Sequence, residues 1–141
     1  MAEKKVLILF GPTACGKSAT AIKISKNIQS NIINADSIQV YKDLRILTSR
    51  PSEIDEKKAA HKLYGIMDGK NNCTVATWLE LVTKEIKNCW SQEKLPILVG
   101  GTGMYLKSLM EGISDIPEVP KSIKLETEED FKKNGVEYLY N

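Results

Sequence analysis

With 141 residues, 42% of them hydrophobic and 27% charged, the chain fits one soluble globular domain and is too short for two of ordinary size. Its net charge of +2 is too mild to announce or exclude a nucleic-acid partner. No apolar run approaches the roughly 18 residues of a membrane-spanning helix.

The opening Met1-Ala2-Glu3-Lys4-Lys5 leads straight into Val6-Leu7-Ile8-Leu9-Phe10. That stretch is too short for a signal peptide and no small-residue cleavage site follows it, so a cytoplasmic location is expected. Lys5 to Phe10 reads as a strand buried on both faces, as in a parallel sheet. Gly11-Pro12-Thr13-Ala14-Cys15-Gly16-Lys17-Ser18 follows at once. A helix is predicted from Gly16 to about Ile28, with Ala21, Ile24 and Ile28 on its apolar side and Lys23 and Lys26 toward solvent. Ile32-Ile33-Asn34-Ala35 reads as a second strand ending at Asp36-Ser37, which completes a βαβ opening.

The stretch from Tyr41 to Gly69 is less regular. Pro51-Ser52 followed by Glu53, Asp55 and Glu56 marks a helix start with acids at the positive end of its dipole. Asp68-Gly69 and Asn71-Asn72 mark a turn. The clearest helix spans Val75 to Trp90, with Val75, Trp78, Leu79, Val82, Ile86, Cys89 and Trp90 on one stripe, so both tryptophans are read as core residues. Leu95 to Val99 is another buried strand. It runs into Gly100-Gly101-Thr102-Gly103 and a helix carrying Tyr105, Leu106, Leu109 and Met110, closed by Gly112. Beyond Ser114, Pro117 and Pro120 punctuate a linker. Lys121 to Asn141 is charged and weakly periodic, and Val136-Glu137-Tyr138-Leu139-Tyr140 reads as an element just begun.

Gly11 to Ser18 matches GxxxxGK[ST] in full, between a strand and a helix as its mechanism requires. Loop N–H groups and the helix N-terminus converge on an anion, Lys17 supplies a full charge to the outer phosphate, and Ser18 can ligate magnesium. The three cysteines, Cys15, Cys73 and Cys89, form no CxxC pair and His61 is the single histidine, so reduced thiols are expected rather than a disulfide or zinc framework.

A P-loop alone does not name a reaction. Most hold ATP or GTP, with a metal-holding Asp at the end of a later apolar strand. Here that strand ends in Gly-Gly-Thr-Gly, and the acid stands instead at the end of the second strand. In a parallel sheet both ends and the P-loop open onto one edge. Asp36 is then either a general base facing a phosphate-bearing substrate, or a helix cap or magnesium holder. A small-molecule kinase and a non-catalytic diphosphate- or nucleotide-binding remnant remain alternatives. The glycine-ended strand and the lack of any arginine after Arg50 argue against the kinase.

The segments GPTACGKS (11–18), NADSIQVY (34–41) and ILVGGTGMYLKSL (97–109) resemble the tRNA dimethylallyltransferase, or tRNA isopentenyltransferase, family in order and spacing, from about Lys5 to Pro120. The resemblance implies an α/β, P-loop NTPase-like, three-layer fold: a parallel sheet with flanking helices, shortened relative to the family. Residues 1–116 would be the N-terminal half of the catalytic core. Residues 117–141 would be a linker and the start of the family's inserted helical region. It further implies transfer of a dimethylallyl group from dimethylallyl diphosphate, with Mg2+, to the exocyclic amine of an adenosine beside the anticodon of tRNA. Gly11, Pro12, Thr13, Ala14, Cys15, Gly16, Lys17 and Ser18 would bind the diphosphate, with Ser18 on the metal. Asp36 would be the base, Thr102 would hydrogen-bond near the reacting centre, and Ser37, Ile38 and Gln39 would receive the flipped base of the anticodon stem-loop. One departure is local: Leu47 precedes Thr48 where the family has glycine. The other is length, since the family continues into tRNA-gripping helices and further strands, which a second polypeptide would have to supply.

Overall fold

Four strands, β1 (Leu7–Phe10), β2 (Ser30–Asn34), β3 (His61–Lys62) and β4 (Leu95–Gly100), pair in parallel in the order β1-β4-β2-β3. The structure, a computed structural model, describes residues 4–114 and 119–140. β4 is central: Ile97 lies opposite Leu7 on one side and Ile32 on the other. Side chains alternate across the pleat, so neighbouring apolar residues feed two cores. Ile32, Ile97 and Val99 meet Ala21 and Ile22 of α1 (Lys17–Ser25). Ile33 and Leu98 meet Trp78, Val82 and Ile86 of α3 (Val75–Ser91) and Tyr105 and Leu106 of α4 (Gly103–Glu111). Helices therefore cover both faces of a parallel sheet, the three-layer arrangement expected.

Thr74 caps α3 by accepting the Thr77 N–H at 3.1 Å. The fully buried Trp78 stacks on Tyr105 at 4.3 Å and donates its indole N–H to the Asn34 carbonyl at 3.0 Å. Trp90 donates to the Lys5 carbonyl at 2.9 Å. Trp78 thus ties α3 to β2, and Trp90 ties it to the segment leading into β1, each by packing plus a satisfied N–H. The short helix α2 (Glu53–Lys58) begins with a reciprocal capping box between Ser52 and Asp55. Hydrogen bonds from Ser52, then Lys58, bring the Asp55 carboxyl down from 3.8 to about 2. Because the folded value is depressed, this cap contributes above about 3.8 and fades as pH falls through about 2. An NMR titration is expected to show the Ser52 and Asp55 signals moving together near that lower value, and a midpoint at the ordinary carboxylate value would contradict it.

Three sequence expectations change. β1 is not buried on both faces: it sits at the sheet edge, pairs only with β4 among the described residues, and leaves Leu7, Ile8 and Leu9 half-exposed. α1 ends at Ser25 rather than Ile28. There the Asn27 side chain donates to the Lys23 carbonyl and Ser30 bonds the Ser25 hydroxyl, local bonds that compete with another helical turn and leave Ile28 exposed. β3, unanticipated, is a two-residue strand whose His61 pairs opposite Ile32. Beyond the core, α5 (Lys121–Asn134) and α6 (Val136–Tyr140) are helical without a buried residue, and Pro117 lies outside the described residues.

A candidate anion and acid–base site at the carboxyl edge of the sheet

β1 delivers the chain into the loop 11–16, and α1 begins at Lys17. Gly16 takes φ 87° and Ala14 φ 66°, with Cys15 between them outside the positive range. Alternating handedness of this kind builds anion-binding concavities from backbone N–H groups. Glycine suits the αL position at 16, whereas a positive φ at Ala14 is uncommon for a residue with a Cβ. The Lys17 ammonium donates to the carbonyls of Gly11 at 2.7 Å and Pro12 at 2.6 Å, which holds its charge within the loop. Cys15 is exposed, with its sulfur 3.8 Å from that ammonium.

At the end of β2, Asp36 is fixed through its backbone by a fully buried neighbour. The Asn34 carboxamide accepts the Asp36 N–H at 2.9 Å and donates to the carbonyls of Asp36 at 2.9 Å and Leu63 at 3.2 Å. One carboxylate oxygen of Asp36 accepts the N–H groups of Ile38 at 2.9 Å and Gln39 at 3.4 Å. Asp36 therefore caps the following turn. At the end of β4, the Thr102 hydroxyl accepts the Ser37 N–H at 3.0 Å and donates to the Ser37 hydroxyl at 3.3 Å. Gly100 passes so close to Ala35 that a Cβ there would overlap its carbonyl group.

These strand ends enclose a cleft of about 270 Å³ lined by Thr13, Ala14, Gly16, Lys17, Ser18 and Ala19 on one side and by Asp36, Gln39, Thr48 and Ser49 on another, with Val99 and Gly100 at its base. Lys17, Ser18, Asp36 and Gln39 thus meet in one space. Thr102 and Ser37 lie outside its lining and are joined to it through Asp36, and Ile38 is 52% exposed beside it.

Sequence reasoning assigned no role to Asn34, Thr48 or Ser49, and it named Gly100 only as part of the glycine-rich turn. Asn34 did leave a signal, a carboxamide directly after the apolar pair Ile32-Ile33. Gln39 donates to the Thr48 carbonyl at 2.7 Å, and Arg50 donates to the carbonyls of Tyr41 and Lys42, so the loop after Val40 folds back over the cleft. The left-handed residue there is Ser49, at φ 52°, so Leu47 needs no glycine-like backbone and stands 85% exposed. Burial pushes the Tyr64 hydroxyl up, with the Asp36 carboxylate adding to it, which keeps that phenol neutral. Burial likewise raises the Cys89 thiol, and all three cysteines are free.

A parallel sheet covered on both faces, with a loop of the GxxxxGK[ST] pattern between its first strand and helix, defines a P-loop NTPase-like α/β fold. The carboxylate of Asp36, just past the end of β2 and one strand removed from β1, narrows the class. Residues 39–141 match the sequence profile of the IPP transferase family, and the chain belongs to that family. It is 46% identical over 138 residues to the tRNA dimethylallyltransferase of Pelagibacter ubique (strain HTCC1062), a match covering 98% of this chain and 44% of that protein. With the tRNA dimethylallyltransferase of Methylobacterium nodulans it shares 48% identity over 120 residues, or 85% of this chain and 40% of the relative. Among solved structures, the full-length tRNA isopentenylpyrophosphate transferase of Bacillus halodurans superposes with a TM-score of 0.77 at 29% identity, covering 97% of this chain and 46% of that one. A eukaryotic dimethylallyltransferase acting on tRNA gives 0.79 at 25% identity, over 95% of this chain and 33% of that one. The chain thus spans less than half the length of each of these relatives. Among the described residues no helix is long and apolar enough to cross a membrane, and no group of three or more His, Cys, Asp or Glu residues is arranged to hold a metal.

Proposed function

We propose that this chain supplies the donor-binding and proton-accepting part of a cytoplasmic enzyme that transfers a dimethylallyl group from dimethylallyl diphosphate to the exocyclic amine of the adenosine beside the anticodon. The observation that carries this reading is the shared cleft, where an anion cradle and the Asp36 carboxylate line one space in a member of the IPP transferase family. The loop from Gly11 to Ser18 and the α1 N-terminus hold the diphosphate, and Lys17 offsets the charge that grows as it departs. Ser18 lines the cleft beside Lys17, and its hydroxyl suits a Mg2+ ion completed by diphosphate oxygens and water. Bound there, Mg2+ would neutralise the leaving group.

The amine nitrogen forms a bond to the allylic carbon while the carbon–oxygen bond to diphosphate breaks, and Asp36 takes the amine proton. Thr102 is hydrogen-bonded to Ser37 and is assigned the contact next to the reacting centre, with Ser37, Ile38 and Gln39 assigned to receive a base drawn from its stack. The rest of the tRNA grip comes from polypeptide matching the remainder of the relatives' length.

The test pairs this chain with the unmatched remainder of the Pelagibacter ubique protein, an unmodified anticodon stem-loop, labelled dimethylallyl diphosphate and Mg2+. Label is expected on the adenosine amine, and chelation should abolish its transfer. A complex that binds both substrates yet leaves the RNA unlabelled would overturn the reading, and transfer of phosphate from ATP to a small acceptor would replace it with a kinase.

A further inference from the structure

We infer that Arg50 is a positioning residue for the cleft: seated on Gly65, its guanidinium holds the Thr48–Ser49 wall and, through that wall, the Gln39 carboxamide. How the wall is held rests on geometry alone. What it serves, the receipt of the acceptor base at Gln39, rests on the proposed function.

Residues 39–42 and 65–67 form a fixed floor. The Gly65 N–H donates to the Gln39 carbonyl at 2.9 Å, the Met67 N–H to the Val40 carbonyl at 3.0 Å, and the Lys42 N–H to the Met67 carbonyl at 2.9 Å. Arg50 lies on that floor. One nitrogen, Nη1, donates to the carbonyls of both Tyr41 at 3.1 Å and Lys42 at 3.3 Å. The guanidinium fills the place where Gly65 has no side chain, since a Cβ there would overlap Nη1 and Cζ. Gly65 also stands at φ 57°, so glycine is favoured twice over, by backbone and by space.

The wall is tied to Arg50 on one side and to Gln39 on the other. The Arg50 N–H donates to the Arg45 carbonyl at 3.1 Å, which closes the turn that carries Thr48 and Ser49. The Gln39 carboxamide donates to the Thr48 carbonyl at 2.7 Å, so its orientation depends on where Thr48 stands. Gln39, Thr48 and Ser49 all line the cleft that Asp36 and Lys17 share. Arginine is held here at a cost, because its Nε is buried with no hydrogen-bond partner among the described residues. An apolar side chain of similar length would cover Gly65 without that penalty. What arginine adds is the pair of bonds that pins the returning loop.

Hydrogen exchange of the full chain, with kinetics of the enzyme completed by the Pelagibacter ubique remainder, tests the inference. In Arg50→Ala, exchange at Thr48, Ser49 and Arg50's successor position is expected to quicken about tenfold while β2 and β4 keep their protection. The KM for the anticodon stem-loop should rise about tenfold with kcat within about twofold of the parent. Arg50→Lys should recover most of the loss, because one ammonium can serve both carbonyls as Nη1 does. Gly65→Ala expels the guanidinium and should reproduce Arg50→Ala, yet add little when combined with it. Unchanged loop exchange in Arg50→Ala overturns the inference, as does faster exchange with KM unmoved. Loss of protection in β2 and β4 overturns it too, since Arg50 would then hold the fold and not the wall. A parent enzyme that leaves the RNA unlabelled is a failure of the proposed function. The stem-loop Kd then replaces KM, and a Kd indifferent to Arg50→Ala overturns the inference.

Discussion

In the enzyme completed with the Pelagibacter ubique remainder, Asp36→Asn is expected to lower kcat about 100- to 10,000-fold while leaving stability nearly unchanged, whereas Asp36→Ala loses both. On the proposed function Asp36 has two separable duties. One oxygen accepts the N–H groups of Ile38 and Gln39, a cap worth about 1 kcal/mol. The carboxylate also lines the cleft shared with Lys17 and Ser18, where it can take a proton from an attacking amine, an effect typically worth that range in rate. Asparagine keeps the capping carbonyl oxygen and cannot serve as the base; alanine keeps neither. Steady-state kinetics and a denaturant midpoint on both variants separate the roles. Full turnover by Asp36→Asn would reduce Asp36 to a cap.

Gly100→Ala is expected to destabilise the chain by about 3 kcal/mol, the upper part of the range for overpacking a tightly packed site. The added methyl would meet the Ala35 backbone, which has no rotamer with which to yield. Ala35 is tied to β4 by its N–H on the Val99 carbonyl at 2.9 Å and accepts the Thr102 N–H at 3.4 Å, so relief would part the strand ends that carry Asp36 and Thr102. Gly103→Ala is the control: nothing lies within 4 Å of a Cβ there, and the residue opens α4, where alanine is the better helix former. Urea titrations should show a large loss for the first and none for the second. Equal midpoints for Gly100→Ala and the parent would contradict the close approach.

What the sequence by itself determined is local or periodic. The loop from Gly11 to Ser18 is contiguous, so its chemistry is written in one window. The α3 stripe repeats at helical spacing, and Trp78, Val82, Ile86 and Cys89 are buried as that spacing requires. Even the meeting of Lys17 and Asp36 was legible, because parallel strands open their carboxyl ends onto one edge.

Tertiary structure alone decided the rest. His61-Lys62 has no strand pattern of its own and becomes one by lying beside β2. Asn34 holds Asp36 through bonds that include the carbonyl of Leu63, 29 residues away. Gly100 must be glycine because of Ala35, a neighbour in space and not in sequence. β1, apolar on both faces, reads like a central strand, and its place at an edge depends on which other strands are there to pair with it. Such properties belong to pairs of distant residues, since hydrogen bonding and steric exclusion act between whichever groups folding brings into contact, and a linear pattern records only one member of each pair.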